Sequence, residues 1–419
     1  LMVNPRQLSD EKLVRTMMHY SIFSSRKTMT RWAFGLLISL GCMAGFTQCS
    51  TTSSVSEQGD ISVKQDYFPE KVKLSHARGF RIQYRPNYKV VDILSPFEKS
   101  TDTARYILLQ RGTPRPKGYA DRQIIEIPLR TMVGMSSLHI GLLSFLSAED
   151  VLIGLGDLKY VSSPKVIERI NEKKITQVGK DQTLNEEVLV ALKPDLVMTV
   201  GQPNARMDRY QTLNAAGVPV LINSEWVENT PLGRAEWVKL MAALLNKEAL
   251  VNQKFAEVEK EYKRLAGLTK NLKNKPSIIT GTSYKDAWYV PNGDSYMAQF
   301  FRDAGTTYHW DKVKATGSLP LNFEAVYPIG LKADYWLNVG ISGRDTKKDI
   351  LDKDSRYGDF KAFKTGQLYN YSKRTNARGS NDYWESGAVN PHLILSDLIK
   401  ILHPELLHDY ELYYYKKLQ

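Results

Sequence analysis

Two glutamates, Glu187 and Glu324, hold the same place in two imperfect copies of one motif. The first copy, Leu184 to Gly201, reads LNEEVLVALKPDLVMTVG; the second, Leu321 to Gly340, reads LNFEAVYPIGLKADYWLNVG. Both open Leu-Asn-x-Glu, pass through Leu-Lys-x-Asp and close on Val-Gly. A carboxylate in the first turn of a helix interacts favourably with the helix dipole and helps cap it. Capping accounts for either glutamate alone, but it does not explain the repeated placement as well as a symmetric, basic partner does. Glu186 stands beside Glu187 and offers the same charge. The second copy carries Pro328 and Gly330, which predict an interrupted helix there.

A second group of residues suits binding rather than catalysis. Arg130, Arg206, Arg374 and Arg378 fall in loops together with Trp226, Trp288, Tyr289, Tyr296, Tyr371, Tyr383 and Trp384. Arginines in this company pair with anionic oxygens, and the rings supply a wide apolar wall. The bland reading is that the rings fill cores and the arginines are solvated. A bare transition metal would call for gathered histidines and carboxylates. The seven histidines are scattered, and only His139 falls near a candidate cleft loop. No Gly-x-Ser-x-Gly, His-Glu-x-x-His or phosphate-cradling glycine loop is present. No catalytic residue or resident metal site is expected.

Strand and helix patterns alternate along the chain on either side of these residues. The stretches GFRIQYRPNYKVVDIL and ARYILLQRG read as an entry hairpin, and Gln123 to Leu129 as a buried strand followed by a loop, RTMVGMSS. A helical pattern runs from Pro231 to Leu268 without a strong breaker. Strand and helix patterns then restart and finish with a closing helix after Pro391. The expectation is an α/β fold: two lobes with mainly parallel sheets, joined by one long rigid helix. In such sheets ligands bind beyond the carboxyl ends of the strands, so the cleft lies between the lobes. The loops after Leu129, Gly201, Thr280 and Gly340, and that from Asn370 to Asn390, would face it.

Composition narrows the rest. The chain has 419 residues, a hydrophobic fraction of 42% and a net charge of +12. Long basic blocks and nucleic-acid motifs are missing, so the excess charge reads as a solvated surface. Basic residues, an apolar run from Trp32 to Phe46 and then Cys49 read as a signal peptide. The two cysteines, Cys42 and Cys49, both lie in this segment, so the mature chain forms no internal disulfide. The placement of Cys49 suggests lipidation, although Gln48 replaces the usual small residue before it. The divisions are 1–28 upstream extension, 29–48 signal peptide, 49–75 lipidated cysteine and tether, 76–230 first lobe, 231–270 inter-lobe helix and 271–419 second lobe.

The pattern NEEVLVALKPDLV, with GVPVL after it, GRAEWVKLMAALL opening the long helix, DSYMAQFFRDAG, and GSNDYWESGAVNPHLILSDLIKILHPEL, resembles a known family. It is similar to the periplasmic substrate-binding proteins of ABC importers, in the branch serving iron-siderophores, haem and cobalamin. The resemblance covers about Ile124 to the carboxyl end. It implies a monomeric lipoprotein in a Gram-negative-type periplasm that captures a metal chelate, most simply a ferric siderophore, and passes it to a permease dimer with its ATPase subunits. It also implies that Glu187 and Glu324 dock onto arginines of the permease. A chelatase-like or metallocofactor enzyme of similar fold is the runner-up.

Overall fold

The structure, a computed structural model, describes residues 65–97, 101–180, 183–201, 207–285, 287–340 and 345–419. Cys49, the leader and Arg206 lie outside the described residues.

The chain enters through a four-stranded sheet. Strands β1 (Phe80–Tyr84), β2 (Tyr88–Ile93) and β3 (Ala104–Gln110) form an antiparallel meander, and β4 (Ile124–Ile127) adds parallel to β3. One face carries Phe80, Val91, Ile93, Leu108 and Ile125 into the main core. Two buried carboxylates pin the preceding segment. Glu236 accepts the backbone N–H groups of Ser75, His76 and Ala77, and Glu228 those of Arg78 and Gly79. These bonds answer the rule that buried charge must be matched by donors.

The first lobe is a five-stranded parallel sheet. It contains β5 (Met132–Gly134), β6 (Leu152–Leu155), β7 (Thr176–Gln177), β10 (Leu196–Val200) and β11 (Val220–Asn223), in the order β11-β10-β5-β6-β7; a hairpin of β8 (Gly179–Lys180) and β9 (Thr183–Leu184) lies beside it. Its helices are α1 (Ser137–Phe145), α2 (Pro164–Asn171), α3 (Glu186–Leu192) and α4 (Gln211–Ala215). The stretch RTMVGMSS, expected as a loop, contributes the central strand β5. Three wholly buried residues are too short a run to show a strand period.

The expected single helix from Pro231 to Leu268 is three helices: α5 (Pro231–Ala235), α6 (Val238–Leu245) and α7 (Glu248–Thr269). The break before α7 falls at Asn246, which takes the left-handed conformation at φ 52°. Its side chain explains the stop. Asn246 Oδ1 accepts from Lys89 Nζ at 2.8 Å, and Nδ2 donates to Gln110 at 2.8 Å, so the entry sheet holds the turn. Lys89 is fully buried and also donates to Glu248 and to the Ala243 carbonyl.

The second lobe repeats the plan. Strands β12 (Ser277–Thr280), β15 (Thr307–Tyr308), β17 (Tyr335–Leu337) and β18 (Leu368–Asn370) run parallel, and β19 (Lys416–Lys417) closes the edge antiparallel to β18. Strands β13 (Ser283–Tyr284), β14 (Ala287–Pro291) and β16 (Ser318–Leu321) form a small antiparallel sheet. Helices α8 (Tyr296–Asp303), α9 (Phe323–Gly330), α10 (Lys347–Lys353), α11 (Lys361–Lys364) and α12 (Pro391–Leu402) surround them. Helix α7 packs along α12, and one continuous apolar core runs from Phe68 through both lobes to Leu418.

The repeated motif is visible as the same construction in each lobe. Asp195 exchanges hydrogen bonds with Thr131: its N–H donates to Thr131 Oγ1 at 3.0 Å, and its carboxylate accepts the Thr131 N–H at 3.1 Å. Asp334 does the same with Ser277, at 3.1 and 2.8 Å. The aspartate of Leu-Lys-x-Asp thus clasps a neighbouring strand at the amino end of each sheet. A basic side chain backs each clasp, Arg111 on Asp195 and Lys361 on Asp334.

Candidate functional site

Parallel strands aim their carboxyl ends, and the loops that follow, into the space between the lobes. Glu225 and Trp226 follow β11, Asn338 follows β17, Tyr371 follows β18, and Tyr296 opens α8. Arg234 on α5 sits among them. Its Nη2 donates to Glu225 Oε1 at 2.9 Å, and its guanidinium lies 4.2 Å from the centroid of the Tyr296 ring. Burial pushes the Glu225 carboxyl up, and Arg234 opposes that shift. The pair fixes one charged anchor at the junction of the lobes.

Around this anchor stands a wall of rings. Tyr371 and Tyr383 stack with centroids 4.4 Å apart and planes 20° from parallel. Trp384 meets both edge-on, at 5.3 and 4.9 Å. Tyr415 comes in from the carboxyl-terminal segment, and its hydroxyl donates to Asn338 Oδ1 at 2.8 Å. Burial pushes the hydroxyls of Tyr371, Tyr383 and Tyr415 above the ordinary phenol range, so they stay neutral.

A cavity of about 500 Å³ touches both lobes; Ser162 lines it from the first, and Arg374, Asp382, Glu411 and Tyr413 from the second. Arg374 is held from two sides. Its Nε donates to Asp382 at 2.5 Å, and its guanidinium rests 4.4 Å from the Tyr413 ring centroid. A guanidinium fixed this way offers its remaining donors to planar anionic groups.

Of the sequence-predicted contacts, Arg374 lines the cavity and Tyr296 and Trp384 are half-buried, while Tyr383 is 4% exposed and packs in the main core, so it is not a ligand contact. Trp226 is half-buried after β11. Tyr289 is half-buried on β14, opposite Pro320. Arg378 is exposed and reaches Asn171 of the first lobe at 3.4 Å. Two further assignments need correction. Trp288 is 0% exposed, stacks on Trp336 at 5.8 Å and donates Nε1–H to the Thr280 carbonyl, so it is a core residue. Arg130 precedes β5 and its N–H donates to Asp195, which places it at the amino end of the sheet, away from the cleft. That error follows directly from missing β5.

His139 is wholly buried on α1, and burial pushes its pKa down to about 3. Among the described residues no three His, Cys, Asp or Glu side chains gather as a metal-holding group. The sequence reading missed Arg234, Glu225 and Tyr415. Arg234 was hidden inside a strong helix pattern, and Tyr415 in a tyrosine-rich terminal stretch that lacked any motif.

The two motif glutamates occupy matching positions. Asn185 caps α3, accepting the Val188 N–H at 3.2 Å, and Asn322 caps α9, accepting the Ala325 N–H at 2.9 Å. Glu187 and Glu324 are each the second residue inside their helix, and both are exposed. Each helix runs antiparallel to the strand after it, which puts its amino end on the cleft side of its lobe. Helix α9 continues through Pro328, so the second copy is not interrupted as expected. Glu324 lies 3.9 Å from Arg356, with both side chains largely exposed.

The family described as Periplasmic binding protein matches residues 146–375. An uncharacterized lipoprotein of the archaeon Methanocaldococcus jannaschii is 27% identical over 316 residues, covering 72% of this chain and 73% of that protein. A second uncharacterized lipoprotein of that organism is also 27% identical, over 75% of this chain and 80% of its own length. Among solved structures, the molybdate-binding protein of a Haemophilus influenzae ABC transporter aligns with a TM-score of 0.51 at 17% identity, over 68% of this chain and 89% of that one. A periplasmic solute-binding protein from Veillonella parvula aligns at 0.50 with 15% identity, over 68% and 84%. These likenesses describe the two-lobed α/β architecture.

Proposed function

The chain belongs to the periplasmic binding protein family, and from that premise we propose that it captures a metal chelate between its lobes and hands it to a membrane permease. It is a substrate-binding component of an importer, not an enzyme. The observation that carries the ligand reading is the cavity between the lobes, where Asp382 and the Tyr413 ring hold the guanidinium of Arg374. Rings cover a large chelate, and the guanidinium meets its anionic oxygens. A ferric siderophore fits this combination best. Haem and cobalamin, with their carboxylate or amide rims, are the alternatives within the same branch.

Titrating the chain with ferrichrome, haemin, cyanocobalamin and molybdate tests the reading. Saturable binding of a chelate, weakened at least tenfold by Arg374→Ala, is the expected result (about 1.4 kcal/mol). Saturation by molybdate alone would overturn it.

Delivery is assigned to Glu187 and Glu324. Asn185 and Asn322 supply the capping bonds, which leaves both carboxylates exposed on the cleft-side rim. Paired charges on a pseudo-symmetric binder suit a two-fold permease and speed its encounter. Glu187→Ala and Glu324→Ala are expected to keep chelate affinity and lose uptake in a reconstituted importer. Loss of chelate binding in a folded variant rejects the assignment.

The site of action is the outer face of a cell membrane, with Cys49 as the lipidated anchor. The named lipoproteins among the relatives are archaeal, which lends no support to the Gram-negative-type envelope of the sequence reading.

A further inference from the structure

The second lobe extends an arm, residues 376–385, onto the first. Glu385 is 3% exposed, and its two carboxylate oxygens accept the backbone N–H groups of Ser162 and Ser163, each at 2.7 Å. Ser163 is the N-cap of α2, so the carboxylate sits where the helix dipole favours negative charge. Ser380 Oγ meets Ser162 Oγ at 2.8 Å, and Asn376 Nδ2 donates to the Val161 carbonyl at 2.8 Å. The backbone of Glu385 presses on α1. A Cβ on Gly141 would collide with the Glu385 carbonyl oxygen, so only glycine admits the arm there. Within the arm's base, Thr375 bridges Asn381, and Asp382 holds Arg374.

We propose that this arm is a latch between the lobes, with Glu385 its positioning residue, and that it limits how far the cleft opens. Helix α7 joins the lobes along one side, and the arm ties them again at 161–163. Glu385 directly follows Tyr383 and Trp384, so the anchor that holds the lobes also sets the ring wall. The arm adds its bonds at 161–163 to the ties made by α7 and the shared core, and each added tie reduces hinge freedom. Release of a bound molecule then requires the bonds at Ser162 and Ser163 to break.

The inference rests on the cleft geometry and not on the identity of the cargo. Its test therefore uses the full chain without ligand, and failure would leave the chelate reading standing. Two variants attack the latch from opposite sides: Glu385→Ala removes the acceptor, and Gly141→Ala pushes the arm off α1. Amide hydrogen exchange is expected to quicken about tenfold in the 160–172 segment of both, while β10 and β17 keep wild-type rates. Solution X-ray scattering is expected to show a larger maximum dimension in both variants. Wild-type exchange at 160–172 overturns the proposal, as does an equal quickening across the strands of both lobes. Freed amides with unchanged scattering overturn it too, since the contact would then limit nothing.

Discussion

At the scale of single residues, buried charge is the organising theme. Arg234 and Glu225 neutralise each other at the lobe junction, with the Arg234 side chain 23% exposed and Glu225 8%. Removing one member of such a pair strands the other. Arg234→Met is expected to lower stability by about 3–5 kcal/mol in urea unfolding, and adding Glu225→Gln to recover most of the loss. Glu385 gives a pH signature. Burial raises its carboxyl to about 7, against the downward pull of the Ser162 and Ser163 N–H groups. The folded state then holds this proton more tightly than the unfolded state. Stability from this group is full below the ordinary carboxylate range and is lost as pH rises through about 7. Melting temperature against pH is expected to lose that falling segment in Glu385→Gln.

At the scale of elements, the motif copies show what a sequence discloses and what it hides. The Leu-Asn-x-Glu spacing correctly marks two helix starts, yet the capping atoms belong to Asn185 and Asn322. Asn322→Ala is therefore expected to cost about 1 kcal/mol, while Glu324→Ala stays within about 0.5 kcal/mol, both read from urea midpoints. Pro328 and Gly330 predicted an interruption that α9 does not show. Gly330 is explained by tertiary packing: a Cβ there would fall 2.5 Å from the Phe360 ring. The opposite error occurred at Asn246, where a continuous helical period hid a left-handed break fixed by Lys89 and Gln110 of another sheet. Strand β5 escaped because three buried residues carry no period. In each case the deciding contact is distant in sequence. Of the site, the ring-bearing arm and Arg374 were legible from their loop. Arg234 and Tyr415 were not, because only the fold delivers them.

At the scale of the whole molecule, the lobes are less separate than the repeated motif suggests. The main core crosses between them, α7 packs on α12, and the arm bonds to Ser162 and Ser163 of the first lobe. Tryptophan emission and far-ultraviolet circular dichroism are expected to report one coincident urea transition. Two separated transitions would show that each lobe folds on its own. The described residues contain no helix long and apolar enough to cross a membrane.

The carboxyl-terminal segment adds a mechanical consequence. Asp397 is fully buried and gathers the N–H groups of Tyr413, Tyr414 and Tyr415 with the hydroxyl of Tyr410. A force applied at Gln419 would first pull β19 and the buried Leu418 from β18, then meet all of these bonds at one point. Once that point yields, Tyr415 is withdrawn from the ring wall while α7 and the parallel strands of both sheets are still in place. Tension at this end would thus disturb the candidate site before it unfolds the protein.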